Sequence, residues 1–219
     1  MPDPTTNADE SVRAAAILPA EHADPEYQNR NALIYASLVS LTYLAAPVLY
    51  IGIQAGLCKR LHASNAMANL PSTVFAAMAW FPVIIAWLFP QAHLLKKTLS
   101  LAYGLMSLTG LLIAVLMISR PSNEIIIWSL VVQAALLGCC NGVISILNWE
   151  ALDRGVSARL RGKALGLAFG LGPAFAVVGS LLAQLLLNGK LFGWQPPQWL
   201  SLNHYPYNDA ILFFTCAAC

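Results

Sequence analysis

Charged side chains are scarce in this sequence. Asp, Glu, Lys and Arg make up 10% of the 219 residues, against roughly 25% in a typical soluble domain. Apolar residues reach 58%, above the usual range of about 45–50%. A soluble domain of this length could not cover its surface with so few charges. The composition therefore excludes an ordinary soluble fold and predicts an integral membrane protein.

The patterns that intramembrane enzymes and metal sites require are also missing. The sequence has no His-Glu-x-x-His motif for a zinc protease. Gly179-Ser180 lacks the flanking residues of a Gly-x-Ser-Gly serine nucleophile. The histidines lie outside the centres of the apolar stretches, and no cysteine forms a zinc-type pair with a nearby histidine. We therefore expect no catalytic activity, no cofactor and no metal site.

The first residues do not have the form of a secretory signal peptide. Their only apolar run, residues 14–18, is too short for the core of such a signal, and its surroundings are acidic. Residues 1–30 carry six acids and two bases. We expect this segment to be a cytoplasmic, disordered acidic tail, and residues 31–219 to form a transmembrane helical domain.

Five long intervals without charge follow the tail: residues 31–58, 61–95, 98–119, 125–149 and 164–189. Each can hold a helix of about 20 residues, enough to cross a bilayer core of about 30 Å. The second interval opens with polar residues, so its helix is predicted for residues 70–89. A sixth apolar run, residues 210–219, would reach about 15 Å into the bilayer. The predicted fold class is an all-α integral membrane protein with five complete transmembrane helices plus the start of a sixth, in which we expect the chain to be cut.

Basic residues are distributed unevenly over the loops. If the N-terminus lies in the cytoplasm, the inner segments carry eight bases and the outer segments four, as the positive-inside rule favours. Residues 192–207 contain Trp194, Trp199, Tyr205 and Tyr207, which is typical of an aromatic belt, here on the outer face. We expect a multi-pass protein of the plasma (inner) membrane with a cytoplasmic N-terminus, and no nucleic-acid partner.

Two predicted helices carry polar residues on one face, at helical spacings of three and four. The helix 1 face holds Ser40, Tyr43, Pro47, Tyr50 and Gln54, and the helix 4 face holds Gln133, Asn141, Ser145 and Asn148. The six candidate cavity residues among them are Tyr43, Tyr50, Gln54, Gln133, Asn141 and Ser145. Amides without partners are costly in hydrocarbon, so these faces must meet protein or a water-filled cavity. Either they line a substrate cavity, or they form interhelical hydrogen bonds that contribute about 0.6 kcal/mol each. No charged residue or histidine lies in the middle of a predicted span, so we expect no intramembrane proton carrier.

Predicted helix 5 is rich in small residues. They form two rows with a spacing of four: Gly162, Gly166, Gly170 and Ala174, and then Ala164, Ala168, Gly172 and Ala176. Such rows let a neighbouring helix backbone approach closely. Pro173 should bend the helix, because proline removes an amide donor and clashes with the preceding turn. We predict that helix packing and a hinge depend on Gly166, Gly170, Gly172 and Pro173.

The start of predicted helix 5 also has the pattern of a known motif. An Arg161-Gly162 pair enters the helix, and a glycine-rich run leads to Gly172-Pro173. This stretch, residues 150–182, resembles the fifth-helix antiporter motif G-x-x-x-G-P-x-x-G-G of the major facilitator superfamily. Gly172 and Pro173 match its central pair. The remaining motif positions differ and hold Ala168, Ala176 and Val177.

Two other motifs of that family are largely replaced. In the loop between helices 2 and 3, the family pattern G-x-L-A-D-R-x-G-R-K keeps only its terminal basic pair, while Ala92 and His93 stand at the acidic position and the arginine after it. In helix 4, the pattern R-x-x-Q-G aligns at Gly138 and has Ala134 and Leu137 at its arginine and glutamine positions. These departures weaken the expectation of proton coupling and of the usual gating charge relay.

The resemblance implies a secondary transporter of twelve helices in two halves, in which helices 1 and 4 line the cavity of the first half. The chain would be the N-terminal half, and the six polar residues of helices 1 and 4 would line a substrate cavity. Because no charge lies on these faces, we expect a neutral or amphipathic small solute. The expected partners are the lipid bilayer, that solute and the C-terminal half of the same chain.

Six charged residues surround the loop between predicted helices 4 and 5: Glu150, Asp153, Arg154, Arg159, Arg161 and Lys163. They serve either as anchors at the cytoplasmic surface or as contacts of a cytoplasmic gate. The alternative to a transporter is a non-transporting membrane scaffold or a transporter relic, which the replaced motifs favour.

Overall fold

The structure, a computed structural model, describes residues 25–48, 52–83, 95–188 and 205–219. These residues form helices and the turns between them and include no strand. The helices of nine residues or more are α1 (Pro25–Ala46), α2 (Gly52–Arg60), α3 (Asn65–Met78), α4 (Leu95–Ile118), α5 (Asn123–Gly155), α6 (Ala158–Asn188) and α7 (Tyr207–Ala218). The predicted all-α fold class is confirmed for this part of the chain.

Three of these helices are long and apolar enough to cross a membrane. The candidate spans are Lys96–Ile118 in α4, Asn123–Gly155 in α5 and Ala158–Leu187 in α6, and they correspond to predicted helices 3, 4 and 5. The expected five complete spans are not confirmed. In the described residues, the regions of predicted helices 1 and 2 hold helices that are shorter or less apolar.

Predicted helix 1 is interrupted at Pro47. The α-helix α1 ends at Ala46, and Pro47 and Val48 are π-helical. Proline supplies no amide donor and its ring clashes with the carbonyl four residues earlier, which disrupts the α-helical hydrogen bonds here. At its other end α1 begins at Pro25, so residues 25–30 of the predicted tail are helical. The rest of that tail lies outside the described residues.

Predicted helix 2 begins earlier than expected. It was placed at residues 70–89, whereas α3 runs from Asn65 to Met78. Ser64 caps its N-terminus by accepting a hydrogen bond from the Met67 amide at 3.3 Å. The polar residues of the first turns donate to carbonyls one turn back, as Asn69 and Thr73 do. These local hydrogen bonds stabilise a helix in the polar segment that was expected to precede it. Residues 84–94, the end of predicted helix 2, lie outside the described part of the chain.

The two longest helices exceed the thickness of a bilayer. With 33 and 31 residues, α5 and α6 extend about 50 Å and about 46 Å, against a hydrocarbon core of about 30 Å. The C-terminus of α5 and the N-terminus of α6 are joined by residues 156–157. Their charged ends therefore lie at the same side of the bundle, where they can project beyond the hydrocarbon.

Small residues of α6 allow α1 to pack closely along it. Ala168 is fully buried, and a Cβ atom added at Gly172 would lie 2.5 Å from the ring of Tyr43. A Cβ atom at Gly179 would overlap the backbone carbonyl oxygen of Leu44. The two helices thus approach to backbone contact, as small residues permit in membrane bundles.

The central helix of the described bundle is α5, which packs against both α3 and α4. Two of its glycines face α3 and the residues that follow it, because a Cβ atom at Gly138 would overlap the Phe75 carbonyl and one at Gly142 would overlap Pro82. On the far side of α4, α7 is attached through the Ser107 hydroxyl, which donates to the Ala217 carbonyl.

The outward faces of the three long helices are apolar. Large exposed side chains include Leu101 on α4, Val132 on α5 and Val177 on α6. In the apolar part of α6, only 17% of the residues are buried within the structure. Apolar surface on this scale needs a cover of lipid or of further protein. The faces support an integral membrane protein.

Candidate functional site

A cavity of about 460 Å³ lies where α1, α5 and α6 meet. Its volume falls within the range of small-molecule sites. The lining residues are Tyr35, Val39, Thr42, Tyr43 and Ala46 of α1, Asn141, Ile144, Ser145, Asn148 and Trp149 of α5, and Phe169 of α6. Within the described ranges no charged side chain lines this cavity.

One wall of the cavity is aromatic and centred on Phe169. The Tyr43 ring meets the Phe169 ring edge to face, with centroids 6.5 Å apart and an interplanar angle of 83°. The Trp149 ring stacks on Phe169 at 6.3 Å and 21°. These are the favoured geometries of aromatic pairs. Trp149 and Phe169 are half-exposed, so the wall presents ring surface for a ligand to contact.

Two hydroxyl groups in the cavity donate hydrogen bonds to backbone carbonyls. The Ser145 hydroxyl donates to the Asn141 carbonyl at 2.8 Å, and the Thr42 hydroxyl donates to the Leu38 carbonyl at 3.0 Å. A hydroxyl has one proton and two lone pairs. Both groups therefore remain available as hydrogen-bond acceptors.

Asn148 also lines this wall, but its unpartnered acceptor is enclosed. Its Nδ2 atom donates to the Tyr103 hydroxyl of α4 at 3.2 Å. Its Oδ1 atom is buried and has no hydrogen-bond partner among the described residues. An unpartnered buried acceptor costs about 1–3 kcal/mol, and a ligand in the cavity could reach this atom only if the side chain moved.

The structure describes five of the six predicted cavity residues and divides them into two groups. Tyr43, Asn141 and Ser145 line the cavity between α1, α5 and α6. Gln54 and Gln133 instead meet each other between α2 and α5. Tyr50 lies outside the described residues. The two interpretations of the polar faces, cavity lining and interhelical hydrogen bonding, thus apply to different residues.

The glutamine pair is fully enclosed. Gln54 and Gln133 have exposed fractions of 1% and 2%, and the Gln54 Nε2 atom donates to Gln133 Oε1 at 3.4 Å. The Gln133 Nε2 atom has no acceptor within the described part of the chain. The contact is long and incompletely satisfied, which makes it a weak interhelical bond.

We expect a weak coupling between these two glutamines. A double-mutant cycle of Gln54→Leu and Gln133→Leu should give an interaction energy of about 0.6 kcal/mol, the average for interhelical hydrogen bonds in a membrane protein. Denaturant unfolding in detergent measures the four free energies. A coupling above about 2 kcal/mol would exceed such bonds and would contradict the weak contact described here.

Three aromatic lining residues have no polar signal in the sequence. Tyr35, Trp149 and Phe169 complete the cavity wall, although only Tyr43 was predicted among the aromatic residues described there. In an apolar helix an aromatic side chain that faces lipid and one that faces a cavity have the same local pattern. Asn148 did carry a signal, because it continues the polar face of predicted helix 4 at the spacing of Asn141 and Ser145.

The predicted packing residues of helix 5 fall on different faces of α6. Gly172 contacts Tyr43, whereas a Cβ atom at Gly166 or Gly170 would meet no described atom within 4 Å. Close packing on α1 therefore uses the row of Gly172, and the row of Gly166 is open in the described structure. Pro173 lies inside α6, which is one continuous helix, and its role as a hinge stays a prediction.

The predicted gate or anchor residues form short-range contacts around the connection between α5 and α6. Glu150 pairs with Arg154 at 2.6 Å within α5. Arg161 pairs with Asp153 at 2.6 Å, and it also donates to the Asp153 and Val156 carbonyls. Arg159 and Lys163 are exposed. These contacts brace the connection itself and are compatible with either role.

Asp209 is a buried acid that the sequence pattern did not reveal. It lies in the first turn of α7, with an exposed fraction of 1%, and neither carboxylate oxygen accepts a hydrogen bond from the described residues. The Arg60 Nη1 atom lies 3.8 Å from its Oδ2 atom. Burial raises the pKa of Asp209 above its ordinary value of 3.8, and the Arg60 guanidinium partly opposes this rise.

We expect Asp209→Asn to change how stability depends on pH. Because the folded pKa lies above the unfolded one, the wild type loses stability as the pH rises from about 4 through the raised value. Asparagine does not titrate, so the variant should gain stability relative to the wild type between pH 4 and pH 7. Thermal unfolding in detergent at several pH values measures the difference. A difference that does not change with pH would contradict a buried, protonatable carboxylate.

A larger groove of about 600 Å³ lies between α4 and α5. Its outward residues include Leu112, Trp128 and Val132, which are exposed and apolar. In a bilayer, lipid chains would cover such a surface. The smaller cavity is the better candidate, because it combines a few polar groups with an aromatic wall.

Comparison of the chain with protein-family models, with curated proteins and with solved structures found no match.

Proposed function

We propose that this chain forms the N-terminal half of a secondary transporter of the major facilitator type, which moves a small solute by alternating access. The observation that carries the proposal is the cavity between α1, α5 and α6. It is lined by α1 and α5, which correspond to predicted helices 1 and 4, the two helices that the family resemblance assigns to the cavity.

The position of the cavity along α5 supports this function. Asn141 lies 18 residues after Asn123 and 14 residues before Gly155, which places it about 27 Å and about 21 Å from the two helix ends. Asn141 is therefore near the middle of a helix long enough to cross the membrane, and Ser145 and Asn148 follow it towards the charged end. Solute sites of secondary transporters lie near the bilayer midplane.

The open small-residue row of α6 also supports the proposal. Cβ atoms added at Gly162, Gly166 or Gly170 meet no described atom within 4 Å. Such a row lets another helix approach to backbone distance. In the proposed transporter, this face receives a helix of the C-terminal half, against which the cavity closes.

The proposed arrangement in the membrane combines these helices with the distribution of the basic residues. The first span combines α1 and α2 around Pro47, the second begins with α3, and the sixth begins in α7 at Ala210. The N-terminus faces the cytoplasm of the plasma (inner) membrane, which places the charged connection between α5 and α6 on the cytoplasmic side.

A membrane scaffold or transporter relic is the second candidate. The observation that favours it is the local nature of the charged contacts: Glu150 pairs within its own helix, and Arg161 pairs with the connection that precedes α6. A gate that works by ion pairs needs partners on elements that move relative to each other.

Uptake into proteoliposomes that contain the complete gene product tests the proposal. A broad panel of radiolabelled small solutes should include at least one whose uptake is saturable and exceeds that of protein-free liposomes. No saturable uptake of any solute in the panel would contradict transport and favour the scaffold.

A further inference from the structure

Two hydroxyl groups of the cavity are placed as hydrogen-bond acceptors. The Ser145 and Thr42 hydroxyls already donate to backbone carbonyls, so each can only accept from a ligand. A ligand that donates hydrogen bonds would satisfy both, whereas a carboxylate or phosphate can only accept. Among the other lining residues, Tyr35, Tyr43 and Asn141 can donate or accept and the Trp149 indole N–H donates, so the preference for a donating ligand comes from the two hydroxyls.

The aromatic wall of the cavity favours a positively charged ligand. The negative faces of aromatic rings attract cations that lie within about 6 Å of the ring centroid. Tyr43 and Trp149 both pack against Phe169, which concentrates three rings at one side of the cavity. The rings also give apolar area for the body of an amphipathic ligand.

An anion would find no basic partner here. Burying a charge is costly unless it is paired or hydrogen-bonded, and no Lys or Arg side chain is among the described residues that line the cavity. A protonated amine, in contrast, has donors for both hydroxyls and a positive charge for the rings.

We infer that the cavity binds an ammonium-bearing solute, a protonated amine attached to an apolar or aromatic body. This inference deepens the proposed transport function and rests on it. The ammonium group lies between the Thr42 and Ser145 hydroxyls and the Phe169 ring, and the apolar body lies against Tyr43 and Trp149. It narrows the neutral or amphipathic solute expected from the sequence to one chemical class.

A matched series of ligands tests the inference on the complete gene product in lipid nanodiscs. The probes are 2-phenylethylamine, 2-phenylethanol and 3-phenylpropionate, which share an apolar body and carry an ammonium, a hydroxyl or a carboxylate group. Equilibrium binding of each is measured at pH 7. The amine should bind at least tenfold more tightly than the other two, and equal or tighter binding of the carboxylate would overturn the inference.

Three variants test whether the preference for the amine arises in this cavity. Phe169→Leu keeps the apolar bulk but removes a ring, so it should weaken amine binding by roughly 3- to 30-fold and leave the alcohol unchanged. Ser145→Ala should also weaken the amine selectively. Val132→Leu, at the outward face of α5, is the control and should change neither. If Phe169→Leu weakens all three ligands equally, cation recognition by the ring is contradicted.

Uptake of the same three probes separates this inference from the transport function. Saturable uptake of the carboxylate without amine binding would overturn the inference and leave transport standing. Saturable amine binding without uptake of any solute would overturn transport and leave the ligand class standing. If no probe binds, the inference fails.

Discussion

The Gly179→Ala variant should lose about 1–3 kcal/mol of unfolding free energy, which is the usual cost of forcing extra atoms into a packed interface. The added Cβ atom would overlap the backbone carbonyl oxygen of Leu44 on α1. A backbone atom within a helix cannot turn aside as a side chain can. Relief therefore requires α1 and α6 to separate along their contact.

The matched control for this variant is Gly166→Ala on the same helix. A Cβ atom at Gly166 meets no described atom within 4 Å, and alanine is a better helix former than glycine by about 0.8–1.0 kcal/mol. The control should therefore be as stable as the wild type or more stable. Denaturant unfolding of the 219-residue chain in detergent measures both variants. Equal losses in the two would contradict the packing of α1 on the Gly172–Gly179 side of α6.

In the proposed transporter, filling the cavity should lower solute uptake while the fold remains intact. Ser145 lines the cavity of about 460 Å³ and its side chain is exposed there. A Ser145→Trp side chain would occupy the space between α1, α5 and α6, so uptake of the transported solute should fall by at least tenfold. Because the residue is not packed in the core, the melting temperature should change little.

Val132→Trp is the control for this second prediction. Val132 lies on the same helix but on its outward apolar face, where a bulky ring can extend into lipid. Its uptake should equal that of the wild type. If both tryptophan variants lose uptake to the same extent, the loss reflects disturbance of α5, and the cavity is not the solute site.

The apolar core of each long helix could be predicted from the sequence, but its ends could not. The charge-free intervals 98–119, 125–149 and 164–189 correspond to α4, α5 and α6. Both α5 and α6 continue into the charged residues around their connection, because a helix does not need to end where the hydrocarbon ends. A charge-free interval therefore gives the part that can lie in lipid and underestimates the helix.

Local sequence patterns were less informative for the first two predicted spans. Pro47 lies inside predicted helix 1, but its effect, a change from α-helix to π-helix, depends on how the freed carbonyls are accommodated. The polar residues before Leu70 suggested a loop, whereas Ser64 caps a helix there. A cap and a loop use the same residue types, so composition cannot separate them.

Part of the candidate site could be predicted, because periodicity identifies a face. It cannot identify what that face meets: Gln54 and Gln133 meet each other, while Tyr43 and Ser145 line a cavity. The difference depends on which helices become neighbours, which is a property of tertiary packing. The burial of Asp209 beside α2 has the same origin.

Thiol accessibility at Ser145 tests most directly whether the cavity is a solute path that opens to both sides of the membrane. In a chain whose five native cysteines, all free thiols, are replaced by alanine, Ser145→Cys and Val132→Cys are treated with a membrane-impermeant reagent from either side. We predict that Ser145→Cys reacts from both sides, that the transported solute changes the two rates, and that Val132→Cys stays unreactive. Labelling of Ser145→Cys no faster than that of Val132→Cys, or from one side only whatever the solute, would contradict alternating access through this cavity.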